Sequence, residues 1–256
     1  MCLLAVLFQV HPDAPLVIAA NRDEWLDRPA EPMRVLRQVP RTLGGRDAQA
    51  GGTWLAVNGS GVVAGLTNQP SQGGRDPARR SRGELPISLT AEADAEVGVR
   101  LHAGRLRCED YNACWMLVGD RDALFFVAVE GRGPPKVEKL APGLHVLENR
   151  PLLPASPKAS RVAAALAEAT TWRGDALVSG LAAVLATHDV PDGPADGGRP
   201  LALGAPCVHA GPYGTRSSTI VVVPAAPTER PRVHFADGPP CQAAFNDRSG
   251  LWTRNG

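Results

Sequence analysis

The stretch 3–10 is apolar at both parities of a strand, with Leu4, Val6 and Phe8 alternating against Leu3, Ala5 and Leu7. The stretch 16–21 behaves alike, with Val17 and Ala19 set against Leu16 and Ile18. Between them, His11-Pro12-Asp13-Ala14-Pro15 is turn chemistry, so the pair reads as a hairpin. A strand with one face in water alternates apolar with polar residues. A hairpin apolar on both faces therefore predicts cover above and below it.

The rest of the chain supplies material for that cover. A second hairpin is predicted over 53–57 and 62–67, joined through Asn58-Gly59-Ser60-Gly61, since Asn-Gly is a strong hairpin turn. Residues 70–83 are rich in Gly, Pro, Ser and Arg and read as a long mobile loop. The stretch 85–106 is helical in pattern but broken near Leu89-Thr90, giving two short helices. Strand patterns follow at 113–118, 124–130, 137–140 and 144–147, then helices at 160–170 and 175–188. The second helix carries Leu177, Leu181, Val184 and Leu185 on one stripe. After a Gly/Pro/Asp-rich loop at 191–200, late strands are predicted at 219–223 and 232–235. There is no repeated strand–helix–strand unit, so packed antiparallel sheets with helices outside them are favoured over a doubly wound parallel sheet. No repeat or linker divides the chain, and residues 1–256 read as a single domain.

A net charge of +1 gives no general attraction to nucleic acid or membranes. The five cysteines are odd in number and lack a Cys-x-x-Cys spacing, which points to reduced thiols in a cytoplasmic setting. The apolar start resembles a signal-peptide core, but no basic residue precedes it and His11, Pro12 and Asp13 interrupt it. It is also too short to span a bilayer, so no integral membrane segment is expected.

Cys2 stands directly behind Met1. Removal of Met1 would leave a thiol and a free α-amine on one residue, the nucleophile-plus-base pair of the N-terminal-nucleophile strategy. A turn that pairs residue 9 with residue 16 also pairs Cys2 with Asp23. That register puts Asp23 and Asn21 on the face of Cys2 and turns Arg22 away. In any register the polar tetrapeptide Asn21-Arg22-Asp23-Glu24 lies beside the amino terminus. Attack on a carbonyl also needs uncharged donors for the oxyanion. Asn68 and Asn149, each at the end of a predicted strand, are the candidates.

Other chemistries find no support. The six histidines are scattered, without His-Glu-x-x-His or a zinc-type Cys/His spacing, and each reads as a surface or helix-end residue. Gly59-Ser60-Gly61 belongs to a hairpin turn rather than to a dinucleotide loop. A phosphate-binding Gly-Lys-Ser/Thr loop and a Gly-x-Ser-x-Gly elbow are both missing. No metal and no cofactor is called for. Arg75, Arg79, Arg80 and Arg82 form a basic run that either is solvated or holds a carboxylate or phosphate.

Taken together, Met1-Cys2, Ala20-Asn21-Arg22-Asp23-Glu24, Arg28-Pro29, Gly51-Gly52-Thr53-Trp54-Leu55, Leu66-Thr67-Asn68, Ser81-Arg82-Gly83-Glu84-Leu85, Asn149 and Tyr213-Gly214-Thr215-Arg216 resemble the NRDE family. That is the family of the transport-and-Golgi-organisation proteins. The resemblance implies an α+β fold, a four-layer αββα sandwich of antiparallel sheets like the N-terminal-nucleophile hydrolases. More distantly the pattern is similar to bile salt hydrolases and penicillin V acylases. By position this likeness gives catalytic roles to Cys2, Asp23, Asn68, Asn149 and Arg216. Asn21, Arg22 and Arg82 are the expected substrate contacts. Ala20 stands where those hydrolases carry arginine, so Arg22 or Arg216 would supply the positive charge beside the thiol.

The expected activity is hydrolysis of a carbon–nitrogen amide bond in a small acylated metabolite. The resemblance carries a rival, because eukaryotic members of the family are tied to membrane trafficking, lipid metabolism and haem mobilisation. The rival is a non-enzymatic haem or lipid handling protein on the same fold. The sequence has neither Cys-Pro nor Cys-x-x-Cys-His, so a conventional haem site is not indicated.

Overall fold

The two faces of the first hairpin feed two separate cores. In the computed structural model, which describes residues 2–71, 74–190 and 200–253 with Cys2 by its backbone alone, the hairpin is β1 (Cys2–His11) and β2 (Ala14–Trp25). Leu4, Val6, Phe8, Leu16, Ile18 and Ala20 enter one buried cluster, and Leu3, Ala5, Leu7, Val17 and Ala19 enter another. Each fully buried Leu or Phe side chain contributes about 1.5–3 kcal/mol, so neither face tolerates water.

The hairpin sits inside a seven-stranded antiparallel sheet. Its neighbours are β10 (Gly143–Leu147) beside β1 and β12 (Tyr213–Val223) beside β2. Beyond β12 come β13 (Arg232–Ala236) and β14 (Asn246–Asp247), while the short β11 (His209–Ala210) also pairs with β12. The second seven-stranded sheet runs in chain order. It begins with β3 (Ala30–Gln38), β4 (Arg41–Asp47), β5 (Leu55–Asn58) and β6 (Val63–Asn68). It ends with β7 (Cys114–Gly119), β8 (Leu124–Val129) and β9 (Lys136–Lys139).

Leu43, Leu55, Val57, Val63, Trp115 and Leu117 of the second sheet meet Leu4, Val6 and Phe8 of the first. Helices α1 (Glu84–Leu89) and α2 (Ala95–His102) cover the outer face of the second sheet against Ala64, Leu66, Met116 and Val118. Helices α3 (Pro157–Ala165) and α4 (Asp175–Leu185) cover the first sheet, with Val162, Leu177 and Leu181 against Leu3, Leu7 and Val17. The fold is a four-layer αββα sandwich.

Most strands and helices lie where expected. The Asn58 turn closes as anticipated, with Asn58 Oδ1 accepting from the amides of Ser60 and Val62. The strands at 137–140 and 144–147 exist, but the chain crosses between sheets there. β9 ends the second sheet, and β10 joins the first. The pair β3–β4 had no counterpart in the sequence reading. The loop around 70–83 is tethered through Arg79 Nη1 to Tyr111 O at 2.6 Å, with residues 72–73 outside the described residues. Most of the loop at 191–200 also lies outside them, at residues 191–199. Among the described residues, no helix is long and apolar enough to cross a membrane.

The expected register of the first hairpin is corrected. Near the turn, His11 pairs with Ala14, as the expected register requires, but Phe8 pairs with Leu16 and Cys2 with Arg22. Gln9 and Val10 face the single residue Pro15, a two-against-one bulge, and Gln9 adopts φ 52°. The bulge shifts the rest of the hairpin by one residue, which exchanges the faces of Arg22 and Asp23. Gln9→Val, a β-branched residue at positive φ, is expected to lower stability by about 1–2 kcal/mol. Gln9→Gly should stay within about 0.5 kcal/mol of the parent, as exposed substitutions usually do. Equilibrium urea unfolding measures both, and a Val variant as stable as the parent would contradict the bulge.

Candidate active site

Strand register gathers the candidate residues at one end of the first sheet. Cys2 lies opposite Arg22 on β2, and Arg22 lies opposite Ser217 on β12. On the other side β1 pairs with β10 as Leu4 with Leu147, and the same register carried two residues further brings Asn149 level with Cys2. Arg216 is the extra residue of a second bulge, between the pairs Thr215–Asp23 and Ser217–Arg22. Met1 and the Cys2 side chain lie outside the described residues.

Alternation along β2 divides the tetrapeptide between two environments. Asn21 is 1% exposed, and its amide is spent on structure. It donates to Leu185 O and Pro206 O, each at 2.9 Å, and accepts from Ser218 Oγ at 2.6 Å. The expectation that Asn21 contacts substrate is therefore corrected, because its polar atoms bind the end of α4 and the chain before β11.

Arg22 points between the sheets, contrary to the expected register. Its guanidinium stacks 4.3 Å from the Trp54 ring centroid and lies 3.7 Å from Asp47 Oδ2 and 4.0 Å from Glu24 Oε2. Arg28 Nη2 shares Asp47 Oδ2 at 2.9 Å and approaches Glu24 at 3.7 Å. Burial of the Arg22 charge is tolerable because it has carboxylate partners and the Trp54 face beside it.

This network forms one wall of a cleft of about 250 Å³. Arg22, Asp23, Trp54, Asn68 and Arg82 all line it, together with Glu24, Arg28, Asp47, Arg75 and Arg80. Five arginines face three carboxylates, so the cleft favours an anion. A further hollow of about 520 Å³ shares Asn68, Arg75, Arg82 and Asn112 with it.

Two glycine-containing segments build the opposite wall. A Cβ on Gly52 would lie 2.4–2.6 Å from the backbone of Gly83, so only glycine allows these chains to touch. Thr53 N then donates to Gly83 O at 2.9 Å. The contact fixes Trp54 beside Arg22 and holds Arg82, whose Nη1 donates to Ala113 O at 3.2 Å. Asn68 ends β6 half-buried, and its carbonyl accepts from Asn149 Nδ2. Thr67 Oγ1 donates to Glu148 O at 2.9 Å, a second tie between the sheets at this end.

Asp23 is 3% exposed and accepts from Thr215 Oγ1 at 2.7 Å. Burial raises its carboxyl above the ordinary 3.8, against the opposing pull of the Lys158 ammonium and the Thr215 hydroxyl. Lys158 and Glu148 are both 4% exposed and were missed in the sequence. Lys158 had left a trace there. It lies directly behind a Ser-Pro helix start, where the helix dipole disfavours a cation unless an acid lies nearby.

Outside the cleft lining, His188 and His209 are exposed as expected, but the fold brings them together with two cysteines that the sequence spacing did not connect to them. His188 and His209 lie with Cys207 and Cys241, and their candidate donor atoms all fall within 4.8 Å of one another.

A family model described as Transport and Golgi organisation 2 matches residues 1–236. The chain belongs to that family. A mouse Transport and Golgi organization 2 homolog is 30% identical over 253 residues, covering 88% of this chain and 89% of its own. A Bos taurus homolog is 31% identical over 259 residues with the same coverage. Among solved structures, penicillin V acylase from Agrobacterium tumefaciens aligns with a TM-score of 0.59 at 12% identity, over all of this chain and 89% of its own. The Caenorhabditis elegans ortholog of N-acylethanolamine-hydrolyzing acid amidase gives 0.58 at 14%, over 89% of this chain and 95% of its own. These likenesses show the fold, which is that of the N-terminal-nucleophile hydrolases.

The raised Asp23 carboxyl has a measurable consequence. A carboxyl whose folded pKa exceeds its unfolded one binds more protons when folded, so its contribution holds in acid and is lost as pH rises through the folded value. Asp23→Asn is neutral throughout and should melt higher than the parent at neutral pH. The advantage should shrink as pH falls toward 3.8, where the parent carboxyl is protonated too. Melting curves across pH measure the difference, and an advantage growing toward acid would contradict the assignment.

Proposed function

We propose that this chain is an N-terminal-cysteine amidohydrolase that cleaves a carbon–nitrogen amide bond in a small, anionic acylated metabolite. The observation that carries this reading is the register that sets the Cys2 backbone opposite Arg22, next to Asp23 and level with Asn149. That row adjoins an arginine-rich cleft containing Asn68.

In this reading removal of Met1 frees the α-amine, which takes the thiol proton. The thiolate then attacks the amide carbon, and the oxygen gains negative charge beside Asn68 Nδ2. Collapse breaks the carbon–nitrogen bond, and the α-ammonium returns its proton to the departing amine. Water, deprotonated by the same α-amine, then cleaves the thioester and releases the acid. Asp23 orders the amine, and Arg22, adjacent on the paired strand, favours the thiolate over the thiol. Asn149 holds the strand end that carries Asn68. Arg82 and Arg75 meet the anionic part of the substrate, while Arg216, at its bulge, is reserved as a second source of positive charge.

The names of the curated relatives refer to transport and Golgi organisation, and the rival role is haem or lipid handling without chemistry. The two differ in their demand on the terminal residue. Cys2→Ala should abolish turnover of N-acyl amino acids, and Cys2→Ser should slow it severely. Asn68→Ala should cost about 10²–10³ in kcat, the usual loss for one oxyanion donor. A carrier that relies on pocket shape would bind haem or lipid equally in all three variants and turn over no amide. Intact mass adds an independent check, since Met1 retained in most molecules would sink the hydrolase reading.

A further inference from the structure

His188, Cys207, His209 and Cys241 come from three separate segments. His188 follows α4, Cys207 and His209 flank Val208 at the start of β11, and Cys241 lies on the turn after β13. The two sulfurs are 3.6 Å apart, and His209 Nε2 lies 3.2 Å from Cys241 Sγ and 3.7 Å from Cys207 Sγ. A tetrahedron with zinc–sulfur bonds of about 2.3 Å and zinc–nitrogen bonds of about 2.0–2.1 Å has edges of about 3.8 Å between sulfurs and about 3.6 Å between sulfur and nitrogen. The three separations lie within about 0.4 Å of those edges. Both thiols are free, and the sulfurs are far beyond the bonding distance of about 2.0 Å.

The surroundings are those of a built ligand set. His188 Nδ1 donates to Cys207 O at 3.1 Å, which fixes the ring and leaves Nε2 as its donor atom. A ligating histidine ordinarily gives its other nitrogen to a carbonyl in this way. Cys207 N in turn donates to Thr187 O at 2.9 Å, locking the segments of His188 and Cys207 together. Cys207 and His209 share one side of an extended chain because they are two residues apart. Gln242 and Ala243 both donate to Pro239 O, which curls the last segment around Cys241.

We infer that these four residues form a closed tetrahedral site for a single zinc ion. Two thiols lose their protons on binding, so two thiolates balance the charge of the cation and two neutral imidazoles complete the shell. With all four positions filled by protein, the ion has no open site for substrate and acts as a clamp. The clamp reaches the tetrapeptide through Val208, between two ligands. Val208 N donates to Thr215 Oγ1 at 2.9 Å, and Thr215 Oγ1 donates to Asp23 Oδ1 at 2.7 Å. The inference stands whether or not Cys2 is a nucleophile.

The test uses the full chain without an affinity tag, purified under reducing conditions and analysed by plasma mass spectrometry. About one zinc per chain is expected, with zinc removal lowering the melting temperature and zinc addition restoring it. Cobalt(II) in its place should show the visible bands of a tetrahedral thiolate site, lost in Cys207→Ser and Cys241→Ser. His209 is exposed, so His209→Ala remains folded for measurement even if the buried Cys207 variant does not, and it too should lose the metal. Zinc that neither co-purifies nor binds on addition would overturn the inference. So would a zinc content unchanged in His209→Ala and Cys241→Ser, or a Cys207–Cys241 disulfide in the protein under those reducing conditions.

Discussion

Everything in this structure depends on the obligation of β1 and β2 to be covered on both faces. Leu3, Leu4, Leu7 and Phe8 leave no side of the hairpin fit for water, so one face must find a second sheet and the other must find helices. The same burial extends into the polar end of the strands, where Asn21, Arg22 and Asp23 are each 5% exposed or less. Polar groups taken that deep must be satisfied locally, because water is not there to do it. The site therefore follows from the architecture. Asn21 is consumed by the end of α4, Arg22 by Trp54 and the Asp47 cluster, and Asp23 by Thr215.

This division gives the tetrapeptide two jobs that its composition conceals. Asn21 anchors the sheet to the segments outside it and Asp23 ties β2 to Thr215 of β12, whereas Arg22 and Glu24 face the cleft with Asp47 and Arg28. The Gly52–Gly83 contact completes the cleft from the second sheet by bringing a backbone against a backbone where no side chain fits. The two walls are thus held by unlike means, one by paired charge and the other by close approach.

The layered fold was legible because it is written in simple periodicities. Both parities of 3–8 are apolar, α4 carries a clean stripe, and Asn58-Gly59 announces its turn. β3 and β4 escaped notice because Met33 turns inward among Arg, Glu and Gln, and Leu43 lies beside Thr and two glycines, patterns shared with loops. The register slipped because the bulge sits on Gln9, a residue that carries no turn signal, where a glycine would have advertised it. The Cys/His group was invisible for a different reason. Its members come from three segments with no recurring spacing, so only the tertiary fold brings their donor atoms together. Lys158 was hidden likewise, its partner Asp23 lying far away in the chain.

The bulge at Gln9 also sets what kind of change this hairpin can accept. Swapping one turn residue for another alters local strain and little else. An insertion or deletion of one residue between Phe8 and Leu16 would carry the whole of β2 to its other face, sending Arg22 toward the helices and Asp23 toward Trp54. Compensation would have to arise in the same strand pair, since β12 reads its own register from β2. In chains built this way, the length of the first turn is thus held more tightly than its composition, even though the turn itself touches no part of the cleft.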